Sequence, residues 1–147
     1  MEILRRLPST KRVKDAYPLP RIDDALDALR ANSHFTKLDL VSGFWQIPID
    51  QSDKEKTAIA TPDGLYQFRV MPFGLTNAPA TFQRLMDKVL AGLTWERCIV
   101  YMDDVIVYGK TLEEHNKNLE SVLKRIIDAN LKLNIEKCEF ASDEVIY

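Results

Sequence analysis

The chain has 147 residues, room for one domain of ordinary size and not for a second of similar bulk. Its 20 Lys and Arg against 22 Asp and Glu give a formal charge of −2 and a pI near 5.7, which excludes a protein that holds nucleic acid through bulk positive charge. A hydrophobic share of 46% with only 5 Gly and 7 Pro excludes disordered and fibrous classes, and Cys98 and Cys138 form neither a disulfide framework nor a zinc spacing.

The opening stretch sets Arg5, Arg6, Lys11, Arg12 and Lys14 against Glu2 alone and reads as an irregular basic arm. Charge interrupts its apolar run before a signal-peptide core forms. No apolar stretch approaches the roughly 20 residues that span a bilayer, so the expectation is a soluble, intracellular protein with no membrane partner. After Pro18-Leu19-Pro20, the spacing of Ile22, Ala25, Leu26 and Leu29 predicts an amphipathic helix that stops near Asn32, with Asp23 and Asp24 at the positive end of its dipole.

Phe35 to Leu40 alternates as a strand does, which places Asp39 where the strand gives way to Ser42-Gly43. Thr57–Thr61 and Leu65–Val70 read as strands joined through Pro62-Asp63-Gly64, a hairpin signal. A helix from about Asn77 to Leu90 tolerates Pro79 in its first turn and ends at Gly92. Cys98–Met102 and Val105–Tyr108 are apolar runs interrupted only by Asp103-Asp104, hence strand, tight turn, strand. Thr111 and Glu114 form a capping box for a helix that runs to Asn130. Leu131–Ile135 and Lys137–Phe140 read as closing strands, and Val145-Ile146-Tyr147 ends the sequence while it is still strand-like, as though cut. His34 and His115 have no metal-like neighbours and are assigned to the surface.

Two readings of Asp103-Asp104 are open at this point. Asp is a common turn residue, and a hairpin tip is usually wet. Carboxylates on strand ends also clamp pairs of divalent cations, and a third carboxylate from a neighbouring strand would complete such a site. Asp39 is the candidate, provided that its strand lies beside the hairpin.

Three stretches carry a resemblance that spacing alone does not supply. Leu38-Asp39-Leu40-Val41-Ser42-Gly43-Phe44-Trp45-Gln46, then Met71-Pro72-Phe73-Gly74-Leu75-Thr76-Asn77-Ala78-Pro79-Ala80-Thr81-Phe82-Gln83, then Tyr101-Met102-Asp103-Asp104, resemble in order and spacing the motifs of reverse transcriptases, most closely those of gypsy-type LTR retrotransposons. The resemblance implies an α+β right-hand polymerase palm, an antiparallel sheet with the helices near 77–90 and 111–130 on one face and the acidic site on the other. It implies a division into a basic arm and opening helix (1–34), palm (35–44 and 73–147) and partial fingers (45–72).

The resemblance also implies roles. Asp39, Asp103 and Asp104 are the catalytic carboxylates and, with the Leu40 carbonyl, the metal set; Asp39 and Asp103 would hold the two Mg²⁺ ions, Mn²⁺ being the alternative, and Asp104 would complete the acidic cluster. Ser42 and Gly43 would meet the triphosphate of a deoxynucleotide, Phe44 would act as a gate against a ribose 2′-hydroxyl, and Phe73 and Gly74 would line the nucleotide pocket. Tyr101 and Met102 would lie at the primer end. The implied partners are an RNA or DNA template with its primer, deoxynucleotides, and the thumb, RNase H and integrase portions of a Pol polyprotein, working in cytoplasmic retroelement particles or in the nucleus. The alternative is an inactive retroelement remnant that serves as a nucleic-acid or protein-binding module.

Overall fold

The computed structural model describes residues 16–144, so the basic arm and the terminal Val145–Tyr147 lie outside the described residues. Those described fall into two compact units. One contains residues 42–85 with the residues just before Leu19, and the other contains 19–41 together with the chain from Met86 onward. No helix among the described residues is long and apolar enough to cross a membrane.

The larger unit is built on a four-stranded antiparallel sheet, in the order β4 (Cys98–Tyr101), β5 (Asp104–Gly109), β1 (His34–Asp39), β6 (Glu139–Ser142). Alternation sorts the side chains of β4, β5 and β1 into two faces. Phe35, Lys37 and Asp39 share one face with their cross-strand partners Tyr108, Ile106 and Asp104, and with Ile99 and Tyr101 of β4. Helix α1 (Ile22–Arg30) buries Ala25 and Leu29 against Phe35, Ile99, Ile106 and Tyr108, at the end of that face away from the aspartates.

The opposite face carries Thr36, Leu38, Val105, Val107, Cys98 and Val100, all buried. Helix α3 (Leu112–Asp128) packs against β5 and β1 here. Its N-terminus is fixed as the capping signal predicts, with the Glu114 N–H donating to Thr111 Oγ1 at 3.2 Å; the returning carboxylate accepts from the N–H of Lys110.

His115 departs from its expected surface position and is fully buried. Its Nε2 lies 2.9 Å from Thr36 Oγ1 and its Nδ1 3.3 Å from Asn116 Oδ1, while Thr36 Oγ1 also accepts the N–H of Ala141 at 3.1 Å. An imidazole is tolerated in this core because its polar atoms have partners. Leu131–Ile135 is likewise not a strand. Only Leu133 bridges Leu40, a 3₁₀ turn follows at Ile135–Lys137, and the closing strand β6 starts two residues later than Lys137.

In the other unit the hairpin is present but short: β2 (Ile59–Thr61) and β3 (Gly64–Tyr66) close through a Thr61–Gly64 pair, with Gly64 at φ +147°. The predicted strands were longer at both outer ends. Thr57 instead ends a 3₁₀ helix (Lys54–Thr57), where its hydroxyl donates to the Lys54 carbonyl and accepts from the N–H of Phe68. Ile47–Ile49 pairs with Arg69–Met71 through the Ile49 N–H to Arg69 carbonyl and Met71 N–H to Ile47 carbonyl bonds. Helix α2 (Ala78–Val89) begins in this unit, with Pro79 in its first turn and Phe82 buried.

Candidate active site

The end of β1 and the β4–β5 turn bring the acidic residues of the larger unit onto adjoining strand ends. Asp39 and Asp104 are direct partners across the β1–β5 ladder. Antiparallel partners stand with their Cβ atoms about 4.5–5.5 Å apart, so two unpaired carboxylates there would repel one another. Asp104 also pairs with Tyr101, which leaves Met102 and Asp103 as the two-residue loop and moves Asp104 out of the turn, where the sequence had placed it, into β5. Tyr101 is half-buried at this edge.

Met102 takes a left-handed φ of +52° with its side chain 60% exposed. A β-unbranched residue in that conformation costs roughly 1 kcal/mol relative to glycine, and such departures concentrate where a site needs a particular turn. Asp103 is on the exposed side of the same turn. Partial burial raises its carboxyl above the ordinary aspartate range, and the charges of Asp104 and then Asp39 raise it further.

The main chain of Asp39 is bracketed from the segment that follows α3. Its carbonyl accepts the Asn134 N–H at 2.8 Å, its N–H points to Cys138 Sγ at 3.4 Å, and the Val41 N–H donates to the Lys132 carbonyl at 3.0 Å. The 131–138 stretch is accordingly not a regular strand: the Lys132 carbonyl, the Asn134 N–H and Cys138 Sγ meet the end of β1, while the N–H groups of Leu131, Lys137 and Cys138 close onto Ile126, Asn134 and Ile135 carbonyls. Leu40 is buried beside it.

Asp104 has a further partner that the sequence reading did not single out. Lys37 Nζ lies 3.0 Å from Asp104 Oδ2, with both side chains about 30% exposed. Period-two spacing was the available signal, since Lys37 and Asp39 are two apart on one strand and must share a face. Among the described residues, no three His, Cys, Asp or Glu side chains are already drawn together to hold an ion. The donor chemistry nonetheless fits a hard divalent cation: carboxylates on adjoining strand ends are oxygen donors of the kind such an ion takes.

The remaining candidates lie in the other unit. Ser42, at φ +44°, turns the chain into a 3₁₀ helix (Gly43–Gln46) in which Gly43 is buried. The Phe44 ring is fixed by two neighbours, Phe73 at 5.4 Å and Phe82 at 5.6 Å between centroids, the latter edge-on. Phe73 is exposed beside Gly74, which takes φ +86°, and Trp45 packs on Phe73 at 5.7 Å. Trp45 was not among the predicted site residues. The aromatic run Phe44-Trp45 gave no reason to separate a ring fixed on both sides from one left 52% exposed.

Comparison with known proteins gives consistent results. The profile of the family described as reverse transcriptase (RNA-dependent DNA polymerase) matches residues 2–147. A Retrovirus-related Pol polyprotein from transposon 297 of Drosophila melanogaster is 45% identical over 132 residues, which are 90% of this chain and 12% of that protein. The Pol polyprotein from transposon gypsy of the same organism is 41% identical over 137 residues, 93% of this chain and 13% of its own length. Among solved structures, a foamy viral protease-reverse transcriptase in complex with RNA/DNA hybrid superposes with a TM-score of 0.81 at 25% identity, covering 92% of this chain and 18% of that one. The chain therefore spans about an eighth of the length of these curated relatives.

Proposed function

The chain belongs to the reverse transcriptase family, in its LTR-retrotransposon branch, and we propose that it carries the catalytic palm of an RNA-directed DNA polymerase. The reaction is attack of a primer 3′-hydroxyl on the α-phosphate of a deoxynucleotide, forming a phosphodiester and releasing pyrophosphate, with the base chosen by an RNA or DNA template. The observation that carries this reading is the cross-strand pairing of Asp39 with Asp104, with Asp103 on the adjoining turn.

Asp39 and Asp103, with the Leu40 carbonyl, would hold the divalent cations, Mg²⁺ or Mn²⁺, and Asp104 completes the cluster. When bound, those ions supply neutralisation of phosphate charge and a more acidic primer hydroxyl. The protein's part is to present carboxylates on stiff strand ends. The bonds from Asn134 and to Cys138 fix the Asp39 main chain, and the left-handed Met102 fixes the turn beside Asp103. This is rigid support of the kind that positions reacting groups.

Motif correspondence assigns Ser42 and Gly43 to the incoming triphosphate, Phe44 to discrimination against a ribose hydroxyl, Phe73 and Gly74 to the nucleotide pocket, and Tyr101 and Met102 to the primer end. The close packing of Phe44 between Phe73 and Phe82 supports its role, because a gate works only if its ring cannot swing aside. In its parent the chain would act with the thumb, RNase H and integrase portions of a Pol polyprotein, inside the cell. The test is primer extension on an RNA template by the wild-type chain and by Asp103→Asn. Loss of about a hundredfold or more with an unchanged circular dichroism spectrum is expected. Equal extension by the variant, or none by either protein, would overturn the proposal for this chain.

A further inference from the structure

Lys37 has no part in the roles assigned above, yet it occupies the acidic face. It stands between Phe35, which packs under α1, and Asp39, and it is in register with Ile106, which makes Asp104 its diagonal neighbour across the ladder. Diagonal neighbours are within reach of a long side chain. The ammonium reaches Asp104 Oδ2 at 3.0 Å, and because both groups are shielded from water to about the same degree, salt screens the pair less than a surface pair. Resting on the ion-binding reading of Asp39 and Asp103, we propose that Lys37 is a resident counter-cation: it holds the Asp104 carboxylate in an ion pair and keeps it out of the divalent-cation set, leaving ligation to Asp39 and Asp103.

Three observations converge on this. Asp104 faces Asp39 directly, so without a cation two carboxylates would face one another across the ladder. Among the described residues the three acidic side chains are nonetheless not gathered into an ion-holding set, and it is Asp104 that has an opposite-charge partner there. Lysine suits the task because its ammonium is a compact point charge on an apolar stem, and the stem can lie along the Ile106 side of the sheet. Lys37 thus sets the charge that an arriving ion meets: three carboxylates less one ammonium.

The test is Mn²⁺ binding alone, read from the electron paramagnetic resonance signal of the free ion, with the full chain at fixed pH and ionic strength. Lys37→Met removes a positive charge from the acidic face and frees Asp104, so Mn²⁺ should bind about tenfold tighter or more. A merely structural lysine would leave affinity unchanged or weaken it. The double variant Lys37→Met/Asp104→Asn deletes the pair at constant net charge and should bind within about threefold of wild type. Unchanged affinity in Lys37→Met, or a tenfold loss in the double variant, would overturn the proposal, the latter by making Asp104 a ligand. Lys37→Gln is measured in parallel and, if Lys37→Met does not fold, decides the question alone by the same tightening. Asp39→Asn separates the two levels: if it binds Mn²⁺ as wild type does, the ion-site reading itself fails, whatever Lys37 does.

Discussion

Gly109 ends β5 where the chain turns back into α3, and the most demanding test of this packing is Gly109→Ala. A Cβ added there would come 2.5 Å from the His115 backbone nitrogen, 2.7 Å from its Cα and 2.9 Å from its Cβ. Ordinary contact begins near 3.4 Å, so the first turn of α3 and the end of β5 must separate by nearly 1 Å. That movement would stretch the 2.9 Å contact between His115 and Thr36 and the 2.9 Å bond from Asn118 Nδ2 to the Tyr108 carbonyl. Overpacking of this kind costs about 1–3 kcal/mol, and two weakened buried hydrogen bonds add about 1 kcal/mol each. We expect a loss of about 3 kcal/mol, a fall in melting temperature of about 6–12 °C for a chain of this size, measured by urea and thermal denaturation followed at 222 nm. Because two of the three nearest atoms are main chain, truncating the partner in Gly109→Ala/His115→Ala should restore nothing. A single variant within about 0.5 kcal/mol of wild type, or full rescue by the double, would refute the backbone-contact argument.

Tyr108 is buried, and its Oη has no hydrogen-bond partner among the described residues. Burial, with the charges of Cys98 and Glu96, pushes its phenol up to about 12, and Tyr108→Phe should be neutral to stabilising by about 1 kcal/mol in urea denaturation, since it deletes an unpaired polar atom. Burial likewise pushes the Cys98 thiol up to about 12, so in native protein at pH 8 a chromogenic disulfide should titrate Cys138 first, and Cys98 only on unfolding; prompt reaction of both would count against the buried β4. Asp103 gives a pH signature in metal-free protein. Its folded-state pKa is raised, so its charged form is the disfavoured one; its penalty is present above that pKa and is relieved as the pH falls through it. The stability of wild type relative to Asp103→Asn should therefore rise between pH 7 and the carboxylate range, as read from urea midpoints, and parallel profiles would exclude the raised carboxyl.

What the sequence could disclose follows from how local each constraint is. Asp39 and the Tyr101–Asp104 turn were legible because alternation and an interruption between two apolar runs are properties of a few neighbouring residues, and pairing β1 with β5 was the only tertiary step needed. Lys37 was legible by the same period and went unread, because a lysine on a strand is usually taken to face water. His115 was not legible in that way. The apolar spacing of α3 runs through Leu119, Val122, Leu123, Ile126 and Ile127, and Val122 and Ile126 are indeed buried, but they share that line with His115 and Asn118, two polar residues. Those two enter the core only because Thr36 and the Tyr108 carbonyl, 79 and 10 residues away, receive them. The 131–138 segment failed for a related reason: its β-like composition is real, but β6 already pairs with β1 beside Phe35 and Lys37, so Leu133 gains a single bridge, the Asn134 N–H and Lys132 carbonyl turn to Asp39 and Val41, and the N–H groups of Lys137 and Cys138 close a local turn on the Asn134 carbonyl. The acidic residues are thus written in local pattern, whereas what holds them still is written in partners far along the chain. Asn134→Pro, which deletes the main-chain N–H donated to the Asp39 carbonyl, and Cys138→Ala, which deletes the sulfur facing the Asp39 N–H, should accordingly disturb Asp39 although nothing in their own neighbourhood marks them as part of a site.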